Sequence, residues 1–100
     1  MRTPDKLRIG GVDYAVQYEE RLNNGTNLAY GHIDFHKALI RLAPDLQTEQ
    51  GEKQTLLHEM LHGIAKHFEL AVGDDEDTID KLSKGLYMVI EDNPDMFADE

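Results

Sequence analysis

The nine residues Thr55-Leu56-Leu57-His58-Glu59-Met60-Leu61-His62-Gly63 decide which fold and which chemistry this chain can support. Apolar residues recur through and beyond them at spacings of three and four, which predicts an amphipathic α-helix. In a helix His58 and His62 lie one turn apart, so both imidazoles can reach one metal ion. Glu59 projects about 100° to the side, where it can act on water beside the ion without binding the ion. The pattern predicts a zinc site, and the alternative is an ordinary helix with two partly buried histidines.

A catalytic zinc site usually has three protein ligands, so a further ligand must come from elsewhere in the chain. Glu76 is our choice, because it falls in the first turn of the next predicted helix. Asp80 lies one turn later and faces the same way, so it can accept a hydrogen bond from the noncoordinating nitrogen of a ligand histidine.

Other third ligands stay open, because acidic residues also accumulate at helix N-termini for structural reasons alone. The alternatives to Glu76 are Asp75, Asp77, His67, His32 and His36, or the absence of any third ligand. On the motif helix His67 is rotated about 140° from His62, so it is expected to point away from the metal.

The first half of the chain is predicted to form three to four strands between about residues 7 and 42. Residues 7–9 and 12–19 flank Gly10-Gly11, a pair suited to the tight turn of a β-hairpin. A third strand is predicted over residues 28–35, after a loop at 23–27 that is rich in residues tolerant of positive φ. Residues 38–42 predict a further short strand.

Two helices are predicted in the second half of the chain. Thr48 can cap the motif helix, which is expected to run over about residues 49–70 and to stop at Gly73. Asp74 is expected to cap the second helix, at about residues 75–92. Both helices have acidic residues in the first turn, where the positive end of the helix dipole stabilises negative charge.

Chain length and element order together predict the domain organisation. One hundred residues are enough for one hydrophobic core, so a single domain over residues 1–100 is expected. Its fold class is α+β, with a small antiparallel-rich sheet of three to four strands packed against the motif helix and a second, C-terminal helix.

Composition and charge narrow the range of partners. The chain has 10 basic and 20 acidic residues, a formal net charge of −10, and no cysteine. Nucleic acid and membrane surfaces are disfavoured as partners, because both are bound through clustered Lys and Arg. Without thiolates, a metal must be held by His, Asp and Glu. The sequence shows neither an apolar signal core nor a membrane-spanning stretch, so we predict a cytoplasmic protein, which we expect to be a monomer.

Three segments resemble the ImmA/IrrE-type metallopeptidases and their minimal phage-borne relatives, which are small gluzincins. The segments are Ala38-Leu39-Ile40-Arg41-Leu42, the motif at residues 55–63, and Glu76-Asp77-Thr78-Ile79-Asp80. The resemblance covers about residues 28–92 and implies a single minimal metallopeptidase-like domain with a zincin-like fold. It also implies zinc bound by His58, His62 and Glu76, with Glu59 as the general base.

A second family shares part of this pattern. SprT-like proteins have the strand and the L-x-H-E-x-x-H motif, but their third zinc ligand is typically a histidine. No histidine follows His67 in this chain, which favours the ImmA/IrrE-type family.

The resemblance implies a zinc endopeptidase of narrow specificity, acting on a protein or peptide such as a regulatory protein. The strand at residues 38–42 is expected either to offer an edge on which an extended substrate lies by β-augmentation, or to be an internal strand. Candidates to stabilise the oxyanion are Tyr87, Tyr30, His32 and His36. The alternative function is a catalytically inactive protein-binding module of the same fold, in which zinc is structural.

Overall fold

The computed structural model describes residues 1–23, 25 and 27–97, with only the backbone at residue 97. The α+β class predicted from sequence is confirmed, since a four-stranded mixed sheet packs against one helix and a second helix packs beside the first. The elements are β1 (Lys6–Ile9), β2 (Val12–Tyr18), β3 (Gly31–Asp34), β4 (Leu39–Leu42), α1 (Glu49–His67), a short 3-10 helix (Ala71–Asp74), α2 (Glu76–Asp92) and α3 (Pro94–Phe97). Among the described residues, no helix combines the length and the apolar character needed to cross a membrane.

The strand order in the sheet is β1-β2-β4-β3. The predicted hairpin of β1 and β2 is confirmed, and Gly10 and Gly11 both have positive φ, at 58° and 82°, as a type I′ turn requires. β3 and β4 are also antiparallel, whereas β2 and β4 are parallel. β4 is therefore an internal strand, so of the two alternatives for residues 38–42 the internal strand is confirmed and the open edge is excluded. The edge strand on this side of the sheet is β3.

Both strands of the second hairpin are shorter than predicted. β3 begins at Gly31 rather than Leu28, which forms only an isolated bridge with Asn23. β4 begins at Leu39 because Ala38 has a φ of 51°, outside the strand region. Within the predicted loop at 23–27, residues 24 and 26 lie outside the described residues.

The hydrophobic core lies between the sheet and α1. Its buried side chains come from alternate positions on three strands and from α1: Ile9, Tyr14, Val16, Ile40, Leu42 and Leu56. Gly63 lets the helix approach closely, because a Cβ atom there would lie 2.9 Å from Ile9 Cδ1. With this face of α1 turned to the sheet, its neighbouring face is left for α2 and for the motif histidines.

The predicted helix starts and stops are partly correct. Thr48 caps α1 as predicted, because its Oγ1 accepts a hydrogen bond from the Gly51 amide at 3.0 Å. The predicted end at residue 70 is wrong, because Glu69 turns into the left-handed region at φ 55° and α1 ends at His67. Gly73 lies within the 3-10 helix and does not end α1. Asp75, rather than Asp74, caps α2 by accepting from the Thr78 amide at 3.1 Å.

Candidate metal centre

Three predicted ligands come together where α2 begins beside the middle of α1. His58 Nε2 and His62 Nε2 lie 3.2 Å apart. Glu76, the first residue of α2, places Oε2 3.0 Å from His58 Nε2 and Oε1 2.6 Å from His62 Nε2. The ligand atoms lie within 4.8 Å of one another, so this group could hold a metal ion.

The outer nitrogens of both imidazoles face acceptors. His62 Nδ1 lies 3.1 Å from the Gly73 carbonyl oxygen, and His58 Nδ1 lies 3.4 Å from Asp80 Oδ1. A carbonyl only accepts, so His62 Nδ1 carries the hydrogen and donates it, which leaves the Nε2 lone pair of the neutral ring turned inward. The Asp80 carboxylate favours the same arrangement in His58. The prediction that Asp80 faces a motif histidine agrees with this geometry.

The donor set fits a divalent metal ion. Two inward lone pairs only 3.2 Å apart repel each other unless a cation lies between them and the Glu76 carboxylate. Ligand atoms around a tetrahedral ion at about 2.0–2.1 Å are about 3.3–3.4 Å apart. The two nitrogens are close to this separation, whereas the Glu76 oxygens lie nearer to them, at 3.0 and 2.6 Å. The two histidine side chains are only 17% and 15% exposed, whereas Glu76 is 70% exposed and approaches from the solvent side.

Glu59 is buried beside this group. Its side chain is only 7% exposed, and burial, followed by the charge of Glu76, raises its pKa to about 8. A Cβ atom at Gly31 would lie 3.4 Å from Glu59 Oε2 and would clash with Thr55 Cγ2. The absence of a side chain at Gly31 therefore lets β3 lie directly against α1 where Glu59 projects.

A cleft of about 1030 Å³ runs over the candidate metal centre. Its floor is α1, including His58, Glu59 and His62, and it extends to the N-terminal turn of this helix. One wall contains the edge strand β3 with the residues before and after it, and the other contains α2 through Glu76, Asp80, Ser83 and Lys84. The predicted metal ligands and the predicted base therefore share one cavity.

The alternative third ligands have other partners. Asp75 caps α2, and Asp77 pairs with Lys81 at 2.9 Å. His67 Nε2 lies 2.7 Å from the hydroxyl of the buried Tyr14, which confirms that His67 points away from the motif histidines. Within residues 1–23, 25 and 27–97, neither these residues nor His32 and His36 join the metal-binding group.

Two of the four candidates for oxyanion stabilisation line the cleft, namely Tyr30 and His32, whereas Tyr87 and His36 are not among its lining residues. His32 Nδ1 lies 3.2 Å from Arg41 Nη2. Because a guanidinium only donates, His32 accepts at Nδ1, and its Nε2 carries the hydrogen and can act as a donor.

Sequence reasoning missed two residues that shape the site, Gly31 and Gly73. Gly73 acts through a backbone oxygen, for which no side-chain pattern exists. Gly31 acts through close approach of β3 to α1, which becomes apparent only once the strand and the helix are placed together.

No protein-family model, curated protein or solved structure matches this chain. The likeness to ImmA/IrrE-type metallopeptidases therefore remains a prediction from the sequence segments quoted above, and the function proposed next depends on the geometry of the site.

Proposed function

We propose that this protein is a zinc-dependent endopeptidase of the ImmA/IrrE type. The observation that carries the proposal is the convergence of His58 Nε2, His62 Nε2 and the Glu76 carboxylate in a cleft that also contains the Glu59 carboxyl group. Two imidazoles and one carboxylate form a ligand set typical of catalytic zinc. When bound there, zinc supplies Lewis-acid polarisation of a peptide carbonyl and makes water more acidic.

Each motif histidine also has a partner for its Nδ1 atom, and these contacts hold both rings in place. The Gly73 carbonyl holds the His62 ring and Asp80 holds the His58 ring, so each Nε2 would be available to a bound ion. His58 and His62 also share one rigid helix. This preorganisation lets Glu76, from the second helix, complete the ligand set.

Glu59 acts as the general base in this proposal. It follows His58 directly on α1, but its side chain lies under β3 rather than among the three ligands. A divalent cation held by the neighbouring ligands would favour the ionised form of Glu59 against the effect of burial, which alone raises its pKa to about 8. In that form the Glu59 carboxylate takes the proton of the attacking water and later donates it to the nitrogen of the leaving amine. Proton transfer of this kind by a positioned side chain contributes about 10²- to 10⁴-fold to the rate.

The substrate is an extended peptide segment that lies beside β3. β3 ends the strand order of the sheet and lines the cleft, so its outer edge faces the cavity in which the metal centre lies. Backbone hydrogen bonds to such an edge bind a peptide with little dependence on its sequence. β3 thus takes the edge role that was one of the two alternatives for residues 38–42.

Glu59→Gln tests the proposal. We expect this isosteric change to reduce cleavage of a fluorogenic peptide library by at least about 100-fold, because Gln cannot accept the proton. Zinc content by mass spectrometry should be unchanged, since Glu59 is not among the ligands. Glu52→Gln, near the start of the same helix, is the matched control and should keep full activity. Equal cleavage by wild type and Glu59→Gln would overturn the proposal.

A binding module with structural zinc is the second candidate. It is favoured by one observation, namely that the ligand group joins α1 to α2 and would therefore fasten the two helices. In that case the zinc-loaded wild type cleaves no peptide of the library, and Glu59→Gln leaves both zinc content and thermal stability near the wild-type values.

A further inference from the structure

The outward face of α2 carries an apolar row, Leu82, Leu86 and Val89, that we call the α2 stripe. These side chains are 51%, 36% and 47% exposed, although they recur at the four- and three-residue spacing of a packed helix face. They lie about 180–240° around the helix from Asp80, which lines the cleft. The α2 stripe is therefore a separate surface from the candidate metal centre.

Gly85 lies in the middle of the α2 stripe, and the described part of the protein gives no reason for a glycine there. A Cβ atom at this position would meet open space, and the residue is not in the left-handed region. A helix is less stable with glycine than with alanine at an interior position. Close approach of a second helix explains the glycine, because the distance between packed helices depends on the size of the side chains at the contact.

The charge at the ends of α2 indicates what kind of helix can pack on the α2 stripe. Glu76 and Asp80 line the cleft, and Asp77, Asp80 and Glu91 are paired with cations. Among the described residues, four acidic side chains at the two ends of α2 form no ion pair: Asp74, Asp75, Asp92 and Asp95. A second copy of this helix would bring two such acidic segments together, which is unfavourable. A helix rich in Lys and Arg would be attracted to the same surface.

We propose that the α2 stripe is a docking surface for a basic amphipathic helix of a partner protein. The apolar face of that helix packs on Leu82, Leu86 and Val89, and its backbone crosses α2 near Gly85. Its Lys and Arg side chains lie beside the acidic residues at the two ends of α2, such as Asp75 and Asp92. This docking requires neither the metal ion nor Glu59.

The first test uses an 18-residue peptide of Leu and Lys with helical apolar spacing, and a scrambled peptide of the same composition. At about 0.15 M salt, fluorescence anisotropy should show at least tenfold tighter binding of the patterned peptide. Leu82→Ser should weaken that binding at least tenfold. Leu70→Ser is the matched control, because Leu70 is 50% exposed but lies outside α2, and binding should be unchanged.

A second variant separates docking from folding. Gly85→Ala should raise the Tm by about 4 °C, because alanine favours the helix and its Cβ has room, yet it should weaken binding of the patterned peptide several-fold. Equal binding of both peptides, or equal effects of Leu82→Ser and Leu70→Ser, would overturn the proposal. So would a wild-type dimer in sedimentation that Leu82→Ser abolishes, since the occupant would then be a second copy. Glu59→Gln protein should bind the peptide as wild type does, whatever its activity.

Discussion

Asp80 holds one of the two ligand histidines without reaching the metal position itself. Its Oδ1 lies 3.4 Å from His58 Nδ1, and its Oδ2 lies 2.9 Å from Lys84 Nζ. The ion pair with Lys84 lowers the pKa of Asp80, so at neutral pH the carboxylate is available to accept the histidine hydrogen. Each oxygen of this carboxylate thus has its own partner, and its position is defined from two sides.

Replacing Asp80 with Ala should therefore weaken zinc binding by about 10- to 100-fold, the usual effect of removing the acceptor that orients a ligand histidine. Competition with a chromogenic chelator measures the affinity. Asp77→Ala is the matched control, because Asp77 forms the same four-residue pair on α2, with Lys81, but does not join the metal-binding group. Equal zinc affinities in the two variants would show that Asp80 does not orient His58.

At the scale of single residues, the sequence predicted the residues of the site better than it predicted the turn between α1 and α2. His58, Glu59 and His62 follow from one helical motif, and Glu76 follows from the start of the next helix. The end of α1 was misplaced because Glu69, neither Gly nor Asn, adopts the left-handed conformation that reverses the chain. Asp75 caps α2 in place of the predicted Asp74, because the Asp75 side chain reaches the Thr78 amide.

At the scale of elements, contact between β3 and α1 depends on Gly31. A Cβ atom there would clash with Thr55 Cγ2, and Thr55 cannot easily turn away, because its hydroxyl donates to Gln47 Oε1 at 2.7 Å. Gln47 Nε2 in turn donates to the Tyr30 carbonyl at 2.8 Å and to the Ala43 carbonyl at 2.9 Å. This network fastens the start of α1 to both ends of the β3–β4 hairpin.

Gly31→Ala should consequently destabilise the protein by about 1–3 kcal/mol, the usual cost of overpacking. Urea unfolding measures the change. Adding Thr55→Ser should restore part of the lost stability, because serine keeps the hydroxyl for Gln47 and removes only the methyl group that would clash. A double variant no more stable than Gly31→Ala alone would mean that the clash lies elsewhere.

The order of the strands was beyond the reach of the sequence pattern. The sequence predicted β2 and β4 as separate strands, but their parallel pairing joins residues far apart in the chain, such as Ala15 and Leu39. Once β4 pairs with β2, the hairpin places β3 at the edge and above α1. The strand that lines the cleft is thus determined by tertiary pairing rather than by local propensity.

At the scale of the whole molecule, the candidate metal centre joins three parts of the chain. α1 contributes both histidines, the 3-10 helix contributes the Gly73 carbonyl, and α2 contributes Glu76 and Asp80. α2 otherwise packs through a narrow buried face, Ile79, Ser83 and Tyr87. A bound ion would therefore stabilise the packing of α2 on α1 as well as serve the chemistry.

Zinc should accordingly raise the Tm. An ion that binds only the folded state, at about 100 times its Kd, adds about 2.7 kcal/mol, or roughly 10 °C for a domain of this size. Thermal unfolding with zinc and with a chelator measures the shift, and His62→Ala should abolish it. His67→Ala is the control: it should lower the Tm by removing the partner of the Tyr14 hydroxyl, but it should keep the full zinc-dependent shift. If His62→Ala kept the zinc-dependent shift in Tm and His67→Ala lost it, the metal would be bound at His67, at the C-terminal end of α1.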